Sequence, residues 1–350
     1  MSIYDLSGNI VSAGGGSNGT NCKIIAHRGY HVTAKQNTIP AFKAASDNGF
    51  NWIEIDTRKT SDGIYVMAHD NSVTLYNNGS ATSVTISSAN YSTIKSYTWD
   101  SAGLYKLCTL QAVCESLKLY DMNMIIDRKS GTNAEIMEIV SMAGAVDRVM
   151  LSYSSYSDAV ADVALLQQYD SVPIRVWSSA SGYASYLSLI SQIANPIYAD
   201  INATNANNTC ISMALACGIP IIFSGCTDSN YNIWAVLANG CMANLDLNIS
   251  RADFESILNI DYDKATAITL SVSSVSISGT GTSSVTASSD ISTGGGYVYA
   301  FTTDPRIATV TQTAFGSSAS FTVTGVSAGT TQMVVFNGCG EVKRITVTVS

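Results

Sequence analysis

Eight short apolar runs alternate with helical segments between residues 21 and 263, and this alternation constrains the fold more than any other feature of the chain. The intervening segments, such as IPAFKAASDNG and TLQAVCESLKLY, carry apolar residues at helical spacing. Eight strand–helix units over about 240 residues have the size and rhythm of a (β/α)8 barrel. A doubly wound open sheet is the alternative, although no glycine-rich dinucleotide fingerprint follows the first run. The predicted strands are CKIIA (22–26), WIEID (52–56), MNMIID (122–127), RVMLSY (148–153), PIRVW (173–177), PIYADI (196–201), PIIFS (220–224) and CMANLDL (241–247).

The composition changes at both ends of this region. Residues 1–20 predict a hairpin-like arm with a Gly/Ser linker, and residues 264–350 alternate Ser, Thr and Val with a period of two. That period, with turn residues between the runs, is typical of a β-sandwich. The predicted fold class is therefore an α/β TIM barrel over residues 21–263 followed by an immunoglobulin-like β-sandwich domain. The runs DPRIATV, VTGVSAGTTQMVV and RITVTVS resemble the bacterial immunoglobulin-like group 2 family.

Composition excludes several classes of partner. The formal net charge is −8 and no basic cluster occurs, which argues against nucleic acid. No apolar run reaches the length of a membrane span, and the N-terminus lacks the basic and apolar regions of a secretory signal. The eight cysteines show no CxxC pair, so buried free thiols are favoured over a disulfide framework. Closure of a barrel would bring Cys22 near Cys241, and the sequence leaves open whether they bond.

Polar residues cluster where the predicted strands end, which is the face that carries active sites in such barrels. Glu54 and Asp56 lie two residues apart on an apolar strand, so their side chains share one side. An edge strand with a wet polar face would also explain this pair, but further polar residues at strand ends favour a site. Three carboxylates without a thiol favour Ca²⁺ or Mg²⁺ as a bound cation. The candidate residues are His27, Arg28, Glu54, Asp56, His69, Asp127 and Lys129.

An ordered set of motifs carries a family resemblance. HRG (27–29), QNTIPAFKAASDNG (36–49), IEID (53–56), MAHD (67–70), CTLQAVCESLK (108–118) and IIDRK (125–129) together resemble the glycerophosphodiester phosphodiesterase family over residues 22 to about 250. The resemblance implies that Glu54, Asp56 and Asp127 hold one divalent cation. His27 and His69 would then be general acid and base, and Arg28 and Lys129 would bind the phosphate oxygens.

The implied reaction begins with attack of a neighbouring substrate hydroxyl on phosphorus and passes through a cyclic phosphate that water opens. Gly29 would make room for the diester. The chain departs from the family at Gln36, where a glutamate is usual, and at Asp127, which is similar to the sphingomyelinase D branch. These departures concern the identity of the substrate more than the type of reaction.

Several residues and one segment keep two interpretations. His31 lies outside the motif and is expected at the surface or beside the site. Ser152, Trp177 and Asp246 fall at later strand ends and could line a pocket or serve packing. The segment from Asn71 to Leu107 is either a cap over the site or a solvated excursion with its own hairpin.

The predicted function is hydrolysis of a glycerophosphodiester, either a deacylated phospholipid or a glycerol-phosphate wall polymer (teichoic acid). The immunoglobulin-like module favours the polymer, because such modules accompany proteins that act at bacterial surfaces. A phage tail is one route to that surface without a secretory signal, and a cytoplasmic location stays open. The alternatives are phospholipase D or sphingomyelinase D-like attack on a lipid, and a non-catalytic barrel that binds a phosphoglycan.

Overall fold

The computed structural model describes residues 2–4, 10–13, 23–177, 188–202, 219, 221–226, 242–245, 267–290, 298–312, 316–337 and 342–350. Its first thirteen strands are β1 (Ser2–Tyr4), β2 (Ile10–Ala13), β3 (Lys23–His27), β4 (Trp52–Lys59), β5 (Tyr65–Met67), β6 (Ser72–Asn77), β7 (Ser80–Thr85), β8 (Asn123–Arg128), β9 (Val149–Tyr153), β10 (Ile174–Trp177), β11 (Ile197–Asn202), β12 (Ile221–Cys226) and β13 (Met242–Leu245). The helices are α1 (Ile39–Asp47), α2 (Tyr91–Ile94), α3 (Leu110–Tyr120), α4 (Asn133–Met142), α5 (Tyr156–Ala161) and α6 (Val163–Gln168), with 3-10 turns at Ile86–Ser88 and Val146–Arg148.

Eight of these strands close into a parallel barrel. Their order around the barrel is β3, β4, β8, β9, β10, β11, β12, β13 and back to β3, and each neighbouring pair is parallel. The short strand β5 pairs antiparallel with β4 outside this ring. The predicted (β/α)8 barrel is thus confirmed. All eight predicted strands occur, seven of them within two residues of their expected bounds, and β4 extends three residues beyond its expected end. Pairing of β3 with β13 brings the first and last strands together, while Cys22 and Cys241 lie outside the described residues.

The helices begin where the sequence supplies capping residues. The Thr38 hydroxyl accepts from the backbone N–H of Ala41 at the start of α1, and Pro40 occupies its first turn. Thr109 caps α3 in the same way. Thr132 and Glu135 form a reciprocal capping box at the start of α4, which directly follows β8. These caps set the points at which the chain leaves the barrel.

The strand pleat separates two layers of side chains. Ile53 and Ile55 of β4 lie in the apolar core between barrel and helices, whereas Glu54 between them belongs to the interior. The base of the interior is a small apolar cluster from four strands, formed by Ile25, Ile125, Met150 and Ile222. The residue two positions further along each of these strands is polar, namely His27, Asp127, Ser152 and Ser224. The barrel interior is therefore apolar at one end and polar at the end where the strands finish.

Residues 71–107 form a small unit of their own. The antiparallel hairpin β6–β7 is followed by α2, and their apolar side chains pack into a separate cluster that includes Leu75, Ile94 and Trp99. None of these residues lines the cavity described below. The structure therefore shows a hairpin that packs against its own apolar cluster, and not a cap over the cavity.

The C-terminal region consists of two four-stranded sheets. Its strands are β14 (Ile268–Leu270), β15 (Ser274–Ile277), β16 (Thr282–Ser289), β17 (Val298–Thr302), β18 (Ala308–Gln312), β19 (Ser318–Gly325), β20 (Gly329–Asn337) and β21 (Val342–Val349). The sheets have the orders β14-β16-β19-β18 and β15-β21-β20-β17, and their inner faces share one apolar cluster. This confirms the predicted β-sandwich architecture. Within the described part of the chain, no helix has the length and hydropathy that crossing a bilayer requires.

Candidate active site

A cavity of about 750 Å³ opens where the barrel strands end. It is lined by His27, Arg28, Glu54, Asp56, His69, Asp127, Arg128, Lys129, Ser152, Tyr153, Ser154, Arg175, Trp177, Asp200, Asn202, Ser224 and Gly225. All seven candidate residues from the sequence are in this set. Ser152 and Trp177 also line the cavity, His31 does not, and Asp246 lies outside the described residues.

Three carboxylates meet at the centre of the cavity floor. Glu54 and Asp56 are buried on β4, and Asp127 on β8 is the registered neighbour of Asp56. One oxygen from each of the three residues lies within 4.8 Å of the others. Such proximity is unfavourable for unpaired charges, so the surrounding cations decide how the cluster is stabilised.

Arg28 and Lys129 contact these carboxylates directly. The Arg28 Nε lies 2.9 Å from Asp56 Oδ2, and the Lys129 Nζ lies 3.2 Å from Asp56 Oδ1 and 2.9 Å from Asp127 Oδ2. In this structure both cations therefore neutralise the acidic cluster. Both also line the cavity, where a phosphate group could reach them.

The loop after β3 holds Asp56 from a second side. Buried Asn37 donates from Nδ2 to Asp56 Oδ2 at 2.9 Å and accepts from the Asp56 backbone N–H at 3.1 Å. Arg28 and Asn37 both have positive φ, and a backbone bond from Asn37 N–H to the Arg28 carbonyl closes the loop between them. Gln36, which stands where the family usually has glutamate, accepts from Arg28 at 3.4 Å. The motif Gln36-Asn37-Thr38 thus orients the cluster and begins α1.

Gly29 does not have the role expected from the sequence, which was to make room for the diester. Its φ is +80°, and a Cβ there would lie 2.9 Å from the Ala41 carbonyl carbon and 2.9 Å from Phe42 Cδ1. The missing side chain therefore makes room for α1, which packs against the loop. Gly29 does not line the cavity, so room for the diester is not what the structure shows at this position.

Arg175 and Asp200 are the interior residues that the sequence analysis missed. Arg175 on β10 and Asp200 on β11 are both buried, and the Arg175 NH1 lies 3.3 Å from Asp200 Oδ2. Arg175 NH2 also donates to Glu54 Oε1 at 3.2 Å, and its Nε donates to Ser152 Oγ at 2.8 Å. The sequence did contain a signal for these two residues, since each is a charged residue inside an apolar run, PIRVW or PIYADI. Charged residues inside an apolar run were also what pointed to Glu54 and Asp56.

The pKa values of the interior carboxyl groups shift in opposite directions. Burial raises the pKa of Glu54, and the nearby His27 and Arg175 offset only part of this. Burial likewise raises the pKa of Asp200 in spite of Arg175. Burial alone would raise the pKa of Asp127, but Arg175 and Lys129 hold that pKa below its ordinary value. Of these three carboxyl groups, Asp127 is the one whose ionised form the neighbouring cations favour.

The cluster fits an oxygen-liganded divalent cation. Glu54 Oε2 and Asp56 Oδ1 are buried and accept no hydrogen bond from the described residues, although the His27 Nε2 lies 3.6 Å from the first and the Lys129 Nζ lies 3.2 Å from the second. Buried acceptors of this kind are rare unless something binds them. With carboxylate oxygens alone as donors, Ca²⁺ or Mg²⁺ suits the site better than Zn²⁺.

The two cavity histidines differ in their surroundings. His27 is the registered neighbour of Glu54 across β3 and β4, and its Nε2 lies 3.6 Å from Glu54 Oε2. His69 follows β5, and its Nδ1 lies 2.9 Å from Asp70 Oδ1. Because a carboxylate accepts here, the Nδ1 of His69 carries the proton and its Nε2 presents a lone pair. His69 can thus accept a proton, whereas His27 lies beside the carboxylates.

A family model described as the glycerophosphoryl diester phosphodiesterase family matches residues 27–208, just over half of the 350-residue chain. A second model, described as the pilus formation protein N terminal region, matches residues 291–350. The family that matches the sandwich is therefore not the bacterial immunoglobulin-like group 2 family expected from its motifs.

Individual relatives agree with the first match. The chain is 45% identical to rat glycerophosphodiester phosphodiesterase 1 over 56 residues, which are 16% of this chain and 17% of the relative. The glycerophosphodiester phosphodiesterase structure from Parabacteroides distasonis aligns with TM-score 0.53 and 20% identity, covering 68% of this chain and 97% of that one. An Oleispira antarctica phosphodiesterase in complex with the product sn-glycerol-3-phosphate aligns with TM-score 0.51 and 20% identity over 64% and 92% of the two chains. These structural likenesses show the barrel fold.

Proposed function

Because the chain belongs to the glycerophosphoryl diester phosphodiesterase family, we propose that it hydrolyses a glycerophosphodiester with the help of a divalent cation. The observation that carries this proposal is the cluster of Glu54, Asp56 and Asp127 within 4.8 Å of one another, in a cavity that also holds two histidines. These three carboxylates would hold the cation, which when bound would polarise the phosphoryl group and offset its developing charge.

The protein's own residues then perform proton transfer and positioning. His69, with its proton on Nδ1 directed at Asp70, accepts the proton of the substrate hydroxyl that attacks phosphorus. His27 protonates the departing alcohol. Arg28 and Lys129, which pair with the carboxylates and also line the cavity, would bind the phosphate oxygens. A cyclic phosphate forms first and is opened by water as the histidines exchange roles.

Replacing the proposed acid or one cation ligand tests this assignment. We expect His27→Ala and Glu54→Ala to abolish hydrolysis of glycerophosphocholine, since one positioned histidine contributes roughly 10² to 10⁴ in rate. His31→Ala is the matched control, because this histidine contacts the Gly29 carbonyl and lies outside the cavity. Activity in His27→Ala equal to that of the control would refute the role of His27.

The substrate class is proposed to be a glycerol-phosphate diester, either small or within a teichoic acid polymer. The product bound to the Oleispira antarctica relative, sn-glycerol-3-phosphate, supports the glycerol-phosphate unit. The described cavity wall consists mainly of charged, hydroxyl and amide side chains, which counts against the apolar lip that a lipid substrate would need.

Product analysis on glycerophosphocholine, glycerol-phosphate teichoic acid and sphingomyelin, each with and without chelator, separates these substrates. Turnover of the first two that stops with chelator supports the proposal. Turnover of sphingomyelin alone would support the sphingomyelinase D-like alternative, and calcium binding without any turnover would support a non-catalytic phosphoglycan-binding barrel.

The sandwich is proposed to bring the barrel to a bacterial surface, as an immunoglobulin-like module would. The support is its two-sheet architecture and its Ser/Thr-rich outer faces. Sedimentation of the full chain with bacterial cell walls, in the presence of chelator to prevent turnover, tests this. Equal sedimentation with walls stripped of teichoic acid would assign the attachment to another wall component.

A further inference from the structure

One interior ion pair is not used by the reaction described above. Arg175 and Asp200 are 4% and 3% exposed, and their charged atoms lie 3.3 Å apart beneath the carboxylate cluster. Burying an arginine and an aspartate costs desolvation energy for both, and well-packed apolar residues could fill the same space at lower cost. The pair therefore calls for a reason other than packing.

The contacts of Arg175 suggest that reason. Its guanidinium reaches three other barrel strands, donating to Glu54 Oε1 at 3.2 Å and to Ser152 Oγ at 2.8 Å, and pairing with Asp200. It also lies 3.7 Å from Asp127 Oδ2. By holding Oε1 of Glu54, it leaves Oε2 as the oxygen that accepts no hydrogen bond from the residues that the structure describes.

Asp56 is held in the same manner. Its Oδ2 pairs with Arg28 and accepts from Asn37, whereas its Oδ1 accepts no hydrogen bond from the described residues and lies 3.2 Å from the Lys129 Nζ. Each of these two buried carboxylates thus has one oxygen that the protein orients and a second that accepts no hydrogen bond from the described part of the chain. Arg175 does for Glu54 what Arg28 and Asn37 do for Asp56.

An arginine beside a cation site carries a cost, because its charge repels the ion it helps to bind. Among the groups that contact the cluster, Glu54, Asp56 and Asp127 carry three negative charges and Arg28 and Lys129 carry two positive ones, so this group is net negative. Arg128 also lines the cavity, but it donates to Asn133 and to the Gly131 carbonyl. Arg175 alone would bring this sum to zero. Asp200, on the neighbouring strand β11, restores the negative charge: it pairs with NH1 of Arg175, whereas Glu54 accepts from NH2.

We propose that Arg175 is a positioning residue that fixes Glu54 for binding a divalent cation, and that Asp200 offsets the charge of Arg175 so that the site still attracts the ion. This inference rests on the proposed cation site, and it concerns binding of the ion rather than hydrolysis. Ligand-orienting partners of this type commonly change metal affinity about 10- to 100-fold when they are replaced.

Calorimetric titration of the full chain with Ca²⁺, without substrate, tests the proposal. We expect Asp200→Asn to weaken Ca²⁺ binding about 10- to 100-fold, because the unopposed charge of Arg175 remains. Asp162→Asn is the matched control. Asp162 accepts hydrogen bonds from Asn133 and Tyr153 and does not line the cavity.

A purely structural pair would give a different pattern. If Asp200→Asn binds Ca²⁺ as tightly as the unmodified chain, the charge role of Asp200 is refuted. Circular dichroism establishes that each variant is folded before titration.

Arg175→Lys tests the positioning role independently, also in the event that Asp200→Asn does not fold. It keeps the charge but cannot bridge Glu54, Ser152 and Asp200 together, so we expect Ca²⁺ binding at least about 10-fold weaker. Unchanged affinity in Arg175→Lys would overturn the positioning role. Absence of Ca²⁺ binding to the unmodified chain would overturn the proposed cation site as well, which distinguishes the two failures.

Discussion

Substitution of Gly29 by alanine tests whether this glycine serves the packing of α1 or makes room for a bound diester. Its φ of +80° is a conformation that L-residues rarely adopt. An added Cβ would also approach three atoms of α1 at 2.9, 2.9 and 3.0 Å, one of them the backbone carbon of Ala41. Because a backbone carbon cannot rotate away, either the loop or the helix must shift.

Two contributions determine the expected cost. A left-handed conformation costs a residue with a Cβ about 1 to 2 kcal/mol relative to glycine. Overpacking by one methyl group adds about 1 to 3 kcal/mol when the surroundings are rigid. Gly29→Ala should therefore reduce the free energy of unfolding by about 2 to 5 kcal/mol.

Gly79 provides a matched control for the backbone contribution alone. It has the same φ of +80°, but an added Cβ there would meet no atom within 4 Å. Urea unfolding followed by tryptophan fluorescence is the assay, since all four tryptophans belong to the barrel half of the sequence. The difference between the two variants measures the contact with α1.

Equal destabilisation by Gly29→Ala and Gly79→Ala would refute the packing argument. A Gly29→Ala variant that stays as stable as the control but has a raised KM for glycerophosphocholine would instead support the role in substrate access. We expect Gly29→Ala to lose more stability than Gly79→Ala. Any change in its activity is then corrected for the fraction of the variant that is unfolded.

Three further predictions concern the same barrel. Asn37→Ala removes both bonds to Asp56 and leaves a buried backbone N–H unsatisfied, so we expect about 2 to 4 kcal/mol of lost stability in urea unfolding, whereas a loss below 0.5 kcal/mol would contradict this role. Saturation with Ca²⁺ at about 100 times its Kd should stabilise the chain by about 2.7 kcal/mol, and a urea midpoint that is insensitive to chelator would argue against a cation site. Hydrogen bonds from Lys59 and Tyr65 lower the pKa of Glu135 to about 2, so the stability they contribute is present above the ordinary glutamate pKa and is lost as the pH falls toward 2. Glu135→Gln should therefore flatten the decline of stability between about pH 4.5 and 2, and an unaltered acid limb would show that this contribution is negligible.

The sequence by itself determined the two architectures and most of the site. The period of two in the Ser/Thr/Val-rich tail predicts strands with one buried face, and the alternation of strands and helices predicts the barrel. His27 and Asp127 could be placed at the cavity because each stands at the end of an apolar strand, and Glu54 could be placed there because it interrupts such a strand. In a parallel barrel all such ends meet at one face, so local position along the chain already implies proximity.

Only the tertiary structure decided which of these groups pair. Register across the barrel places Asp127 beside Asp56 and His27 beside Glu54, and no pattern within one strand contains that information. The same applies to Arg175 and Asp200, whose single charges in apolar runs gain a meaning only through the strands that surround them. Gly29 is the reverse case, since the sequence motif places it next to two of the proposed site residues, His27 and Arg28, yet its missing side chain accommodates a helix that begins ten residues later. Periodicity fixes which side of a strand a residue occupies, whereas the contacts across strands depend on closure of the whole barrel.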